Sequence, residues 1–103
     1  MLIYLVIVTY PNLENAKEVS TFVIKEKLAA CAQISDAILS FYHWNNALQE
    51  DQEYRVVFKT NLKKLDALKD YLNSYHPYKI PQIMMIPVRS NKSYAEWVCH
   101  YLS

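Results

Sequence analysis

The chain of 103 residues carries 11 Lys and Arg against 10 Asp and Glu, for a formal net charge of +1, and is 52% hydrophobic and 20% charged. These values describe one folded domain, residues 1–103, with enough length for a core; they exclude a disordered chain and a protein whose main work is coating nucleic acid or anionic membrane. Glycine is absent altogether, which removes the Walker loop, the dinucleotide fingerprint and the other glycine-built phosphate cradles.

The longest apolar run, Leu2 to Val8, is far shorter than the ~20 residues a membrane helix needs, and Pro11 and Asn12 follow in place of a small-residue cleavage site. No membrane segment or signal peptide is expected. Residues 2–9 are instead continuously apolar and rich in β-branched side chains, the pattern of a central strand buried on both faces. Asn12 caps the following helix, in which Ala16, Val19, Ser20, Val23, Ile24 and Leu28 recur at helical spacing. Residues 30–44 read as one long strand ending in an Asn45-Asn46 hairpin turn, because Asn tolerates positive φ when Gly is unavailable.

After the acidic stretch Glu50, Asp51 and Glu53, the alternation of Tyr54, Val56, Phe58 and Thr60 predicts a strand. Asn61 caps a second helix with the stripe Leu65, Leu68, Leu72 and Tyr75. Residues 80–88 read as a strand at a sheet edge, because Pro81 and Pro87 cannot donate to a ladder. Ser93 and Glu96 form a capping-box pattern ahead of a helix carrying Tyr94, Trp97, Val98, Tyr101 and Leu102. The order is βαββαβ with an extra C-terminal helix, an α+β ferredoxin-like sandwich. In that fold the first strand is central and the fourth lies at an edge. The second strand falls at the other edge and bears Phe41, Tyr42 and Trp44, so oligomerisation through it is expected.

Several residues carry chemistry worth placing. His76-Pro77-Tyr78 and Lys79-Ile80-Pro81 make a rigid turn, in which His76 is either part of a helix stop or a ligand and recognition residue beside a Tyr78 cleft wall. Tyr42 and Trp44 point to one face of their strand and His43 to the other, as oligomer contacts or ligand-stacking rings. Lys59 either snorkels to the rim or meets an anion. Glu50, Asp51 and Glu53 read as a solvated face or a hard-cation site. Cys31 and Cys99 lack metal-ligand spacing and read as reduced, largely buried thiols in a cytoplasmic protein. No nucleophile, base and acid trio carries a local motif, so no enzyme activity is expected.

Over essentially its whole length the chain resembles the CutA family of divalent-cation-tolerance proteins. The resemblance runs through Val8-Thr9-Tyr10-Pro11-Asn12, Ile24 to Ala32, Ser40-Phe41-Tyr42-His43-Trp44, Phe58-Lys59-Thr60, His76 to Pro81 and Tyr94-Ala95-Glu96-Trp97. It implies a ferredoxin-like protomer in a homotrimer similar to the PII signalling proteins, with clefts between subunits, and a role in divalent metal tolerance or response that includes copper. Carried onto this chain, the ligand cleft comprises Tyr42, Trp44, Lys59, His76 and Tyr78, and Phe41, Tyr42 and Trp44 lie at the trimer interface. Cu(II) or another divalent cation would be held by His76; Val8 and Tyr75 replace the usual thiol and second His. Lys79 and Gln82 stand where acids are common, which makes the cleft less negative, so that a divalent cation is expected to bind less readily and an anion more so. Asn46, and Ser90 or Asn91, stand where glycines are usual.

The function expected is a non-enzymatic trimer of divalent metal response, sensing a small ligand in its clefts. The alternative is a structural or signalling scaffold that binds an anionic metabolite or a partner protein. An RNA-binding module shares the strand order, but lacks the glycine-bearing consensus and the charge. An acylphosphatase-like hydrolase would need a phosphate-cradling loop, and Tyr10-Pro11-Asn12-Leu13 offers neither Gly nor Arg.

Overall fold

A computed structural model describes residues 1–103. It contains β1 (Leu2–Tyr10), α1 (Leu13–Lys25), β2 (Cys31–Ile34), β3 (Ile38–Trp44), β4 (Ala47–Thr60), α2 (Leu62–Ser74), β5 (Ile83–Arg89) and α3 (Lys92–Tyr101). The sheet runs β2-β4-β1-β5 with antiparallel neighbours, and β3 continues beside the first half of β4. β1 is central and β5 lies at an edge, in keeping with the apolar run and with Pro87 inside β5.

Alternation on β1 and β4 sends Val6, Val8, Tyr10, Val56 and Phe58 to one face, where they pack with Ala16, Val19 and Val23 of α1 and Leu68 and Leu72 of α2. The opposite face is covered only at one end, where Ala95, Val98 and Leu102 close over Ile3 and Ala30. Both Asn caps form as expected: Asn15 N–H donates to Asn12 Oδ1 at 2.8 Å and Lys64 N–H to Asn61 Oδ1 at 3.0 Å.

Five local expectations are corrected. The strand expected over 30–44 is broken into β2 and β3. Ile34 faces Val56 but Ile38 faces Glu53, so the β2–β3 side has one residue more than β4. That is the signature of a bulge, and Ser35 fills it by accepting the Arg55 N–H and donating its own N–H to the Arg55 carbonyl. The acidic stretch 50–53 lies within β4, which is 14 residues long. The last strand begins at Ile83, leaving Pro81 outside it. Ser93 is not a cap: the helix starts at Lys92, so Asn91 occupies that position, without a side-chain cap bond, and donates from Nδ2 to Ser93 Oγ. Tyr75, expected on the apolar stripe of the second helix, is 70% exposed because it follows the end of α2.

Positive φ occurs at Lys27, Asn45 and Asn46, and not at Ser90 or Asn91. Lys27 ends α1 in a Schellman arrangement, with Lys27 N–H bonded to the Ile24 carbonyl and Leu28 N–H to the Val23 carbonyl. Asn45 and Asn46, with φ of 52° and 61°, form the two-residue turn that joins β3 to β4. An Ala at position 46 has no side-chain compensation for the left-handed conformation. Asn46→Ala is therefore expected to cost about 1 kcal/mol in urea unfolding while Asn46→Gly costs nothing. Equal stability of the two variants would contradict this account of the turn.

Candidate functional site

Beyond the core sheet, β3 and the first half of β4 run on as a two-stranded ribbon. Where the ribbon leaves the sheet, a cleft of about 680 Å³ opens. Ser40, Phe41, Tyr42, Trp44 and Glu53 line its ribbon side, Pro77 to Ile80 and Gln82 line the loop side, and Thr9 of β1 lies between them. Strand alternation puts Ser40, Tyr42 and Trp44 on one face, and the register adds Asp51 and Glu53 opposite Ser40 and Ile38.

The carboxylates of the cleft are engaged by phenols. Tyr42 OH donates to Asp51 Oδ2, and Tyr78 OH donates to Glu53 Oε2 at 2.8 Å. The bond to Asp51 raises the Tyr42 pKa, with desolvation and the charges of Asp51 and Glu53 acting the same way. Desolvation raises that of Tyr78, followed by its bond to Glu53. Both tyrosines remain protonated donors at neutral pH.

His76 holds the loop side in place. Its Nε2 lies 2.7 Å from the Thr9 carbonyl, and Tyr78 N–H donates to its Nδ1 at 3.0 Å. A carbonyl only accepts, so Nε2 carries the proton and Nδ1 is the acceptor, which assigns a neutral imidazole. The ring stacks on Tyr10 at 4.6 Å between centroids and 16° between planes, and tilts against Tyr78 at 4.8 Å. Desolvation lowers the His76 pKa, against an opposing rise from the Thr9 carbonyl and Glu53. Tyr10 is itself buried, and its hydroxyl has no hydrogen-bond partner.

This geometry sorts the expected site residues. Tyr42, Trp44 and Tyr78 meet in the cleft, and His76 supports it from behind. Lys59 does not join them: it is register partner to Leu5 and Cys31, and its ammonium sits 5.2 Å from the Tyr94 ring centroid. Thr9 faces Arg55, four residues from Lys59 on β4, which separates Lys59 from the cleft by about 13 Å along the strand. Both ring nitrogens of His76 are occupied, and no group of three His, Cys, Asp or Glu side chains is placed to hold a metal ion. Glu50 pairs with Phe41 on the face of the ribbon opposite Asp51 and Glu53. The residues of this protomer therefore do not fit a copper or hard-cation centre. Lys79 and Gln82 both line the cleft, where Lys79 is the one ammonium beside Glu53 and the Tyr42-bonded Asp51. Sequence reasoning missed Thr9 and the two phenol–carboxylate bonds; the hairpin register, counted back from Asn45-Asn46, holds the signal for Asp51 beside Tyr42.

Folding favours neutral His76, because its pKa is lowered from the ordinary 6.5. A group shifted in that sense contributes stability above its unfolded pKa and loses it as pH falls towards the folded value. The urea midpoint should accordingly drop as pH falls below the ordinary imidazole value of about 6.5, and more steeply than in His76→Gln, which cannot titrate. Parallel profiles for the two proteins would detach this pH dependence from His76.

Residues 4–100 match the family model described as CutA1 divalent ion tolerance protein. The CutA homolog of Xenopus laevis is 37% identical over 92 residues, 88% of this chain and 61% of the relative. The human CutA protein is also 37% identical over 92 residues, again 88% of this chain but 51% of the relative, so the chain spans between half and two thirds of these proteins. The crystal structure of CutA1 from Oryza sativa superposes with a TM-score of 0.94 at 35% identity, covering 100% of this chain and 95% of that one. With the family model matched almost from end to end and the same fold shared by a solved relative, the chain belongs to the CutA1 divalent ion tolerance family.

Proposed function

We propose that this protein is a non-catalytic, cytoplasmic homotrimer of divalent metal tolerance that responds to a small ligand in the cleft at the root of its ribbon, and that it does not act by holding copper at His76. The observation that carries the reading is the cleft itself. Three rings, Tyr42, Trp44 and Tyr78, face a common space and two of them are fixed by hydrogen bonds to Asp51 and Glu53. Aromatic walls with a few oriented polar groups are the usual composition of a small-molecule site.

The trimer is supported by what a lone protomer leaves uncovered. Leu39, Phe41 and Leu48 stand 61% to 71% exposed on the ribbon face away from Asp51, and Met84 and Ile86 are exposed on the part of the α3-bearing sheet face that α3 leaves uncovered. The outer backbone edge of β3 has no partner strand. Apolar patches beside a free edge favour pairing with another copy, and a repeated head-to-tail contact closes into a ring.

Light scattering should give a mass near three times 12.1 kDa. Calorimetric titration with Cu(II) should show weak binding, the same in the native protein and in His76→Gln. A monomeric mass would end the trimer reading. Tight, stoichiometric Cu(II) binding lost in the variant would return copper to His76.

A further inference from the structure

The rings of the cleft are arranged for a cation. Tyr42 and Tyr78 each donate their hydroxyl to a carboxylate, and a phenol that donates to an anion gains electron density on its ring, deepening the negative face of its quadrupole. Trp44, the side chain with the strongest attraction for cations, lines the same space. No protein cation occupies these faces, although the His76 ring packs tilted against Tyr78 at 4.8 Å. The two cation–π pairs of the molecule, Lys27 over Tyr101 and Lys59 over Tyr94, both involve α3 and leave the cleft rings untouched.

Charge points the same way. Lys79 is the one cationic residue lining the cleft, against Glu53 in the lining and Asp51 bonded to Tyr42. The only ion pair in the molecule is Lys69–Asp70, so neither cleft carboxylate is neutralised by a protein cation. A compact metal ion would need several oxygen or nitrogen ligands directed at one point, and none converge here. A soft, weakly hydrated cation has no such requirement: it can leave water at small cost and spread its charge over ring faces.

We propose that the cleft binds an organic cation of the quaternary ammonium class, with Tyr42, Trp44 and Tyr78 around the methylated nitrogen and Glu53 and Asp51 supplying the countercharge. The proposal rests on the reading of the cleft as a ligand site and names the chemistry of its ligand.

The test follows the fluorescence of Trp44 in a Trp97→Phe background, where it is the single remaining tryptophan. Three probes are titrated: (3-hydroxypropyl)trimethylammonium, its uncharged carbon isostere 4,4-dimethylpentan-1-ol, and benzoate. The ammonium probe should bind saturably and about tenfold more tightly than the isostere. Glu53→Gln should shrink that preference severalfold, and Lys79→Gln should enlarge it; circular dichroism and light scattering confirm that each variant is folded and assembled like the parent. Equal binding of the ammonium and its isostere would overturn the proposal, leaving an apolar cleft indifferent to charge. Binding of benzoate without the ammonium would overturn it while preserving the ligand-site reading. Binding of none of the three would remove both.

Discussion

One strand sets the shape of this molecule. β4 runs for 14 residues, pairing on one side with β1 through its second half and on the other with β2 and then β3. At about 3.3 Å per residue its length is some 43 Å, close to the longest dimension of the whole protein, 46 Å. A compact chain of this size has a radius of gyration of about 13 Å; the observed 14.4 Å reflects a ribbon that the core does not reach. The helices cover only the half of β4 that β1 accompanies. The other half is held by backbone bonds to β3 alone, and the cleft forms at the junction, where sheet, ribbon and the loop after α2 come together.

The core was legible in the sequence because its signals are local and repeated. Alternation places Val56, Phe58 and Thr60 inside, helical spacing places Ala16, Val19 and Val23, and Pro87 marks the last strand as an edge. What was not legible depends on counting residues between partners. The 30–44 run is apolar and β-branched throughout, and nothing in its pattern marks Ser35 as the site of a one-residue insertion against β4. Such a bulge is defined by two strands together. The distance of Lys59 from this protomer's cleft is illegible for a related reason. Family resemblance gathers residues by motif, whereas distance along a strand separates Lys59 from Tyr42 and Trp44 whatever their kinship. Which nitrogens of His76 are free is likewise a property of the fold, decided by the Thr9 carbonyl and the Tyr78 amide.

The absence of glycine is met by local hydrogen bonding. Left-handed backbone costs a residue with a Cβ roughly 1–2 kcal/mol, and this chain adopts it at three positions only. At Asn45 and Asn46 the residue type is the one that suffers least. At Lys27 the conformation is the geometric requirement of a helix end whose last carbonyls are satisfied by the Lys27 and Leu28 amides. The Lys27 side chain then reaches the ring of Tyr101, 5.6 Å from its centroid, tying the end of α1 to α3. A position that looks like a missing glycine thereby joins the two layers that lie on opposite faces of the sheet.

The same economy governs the cleft. Tyr78 donates its amide hydrogen to His76 and its hydroxyl to Glu53, and His76 donates to the Thr9 carbonyl, so two neighbouring residues link the loop after α2 to the ribbon and to β1. Replacing neutral His76 by its protonated form removes the Nδ1 acceptor, and the Tyr78 backbone loses its anchor while its hydroxyl stays bonded to Glu53. The cleft is therefore built from groups that satisfy one another when nothing is bound, and its carboxylates are not left as bare charges awaiting a metal. A ligand that uses ring faces need break none of these bonds, whereas a metal ion using oxygen or nitrogen lone pairs would compete with them. In the proposed trimer the ribbon is both a wall of the cleft and the free edge available to a neighbour. Occupancy of the cleft and the seating of that neighbour would then act on the same strand pair, and each would bias the other by whatever free energy the ribbon's position carries.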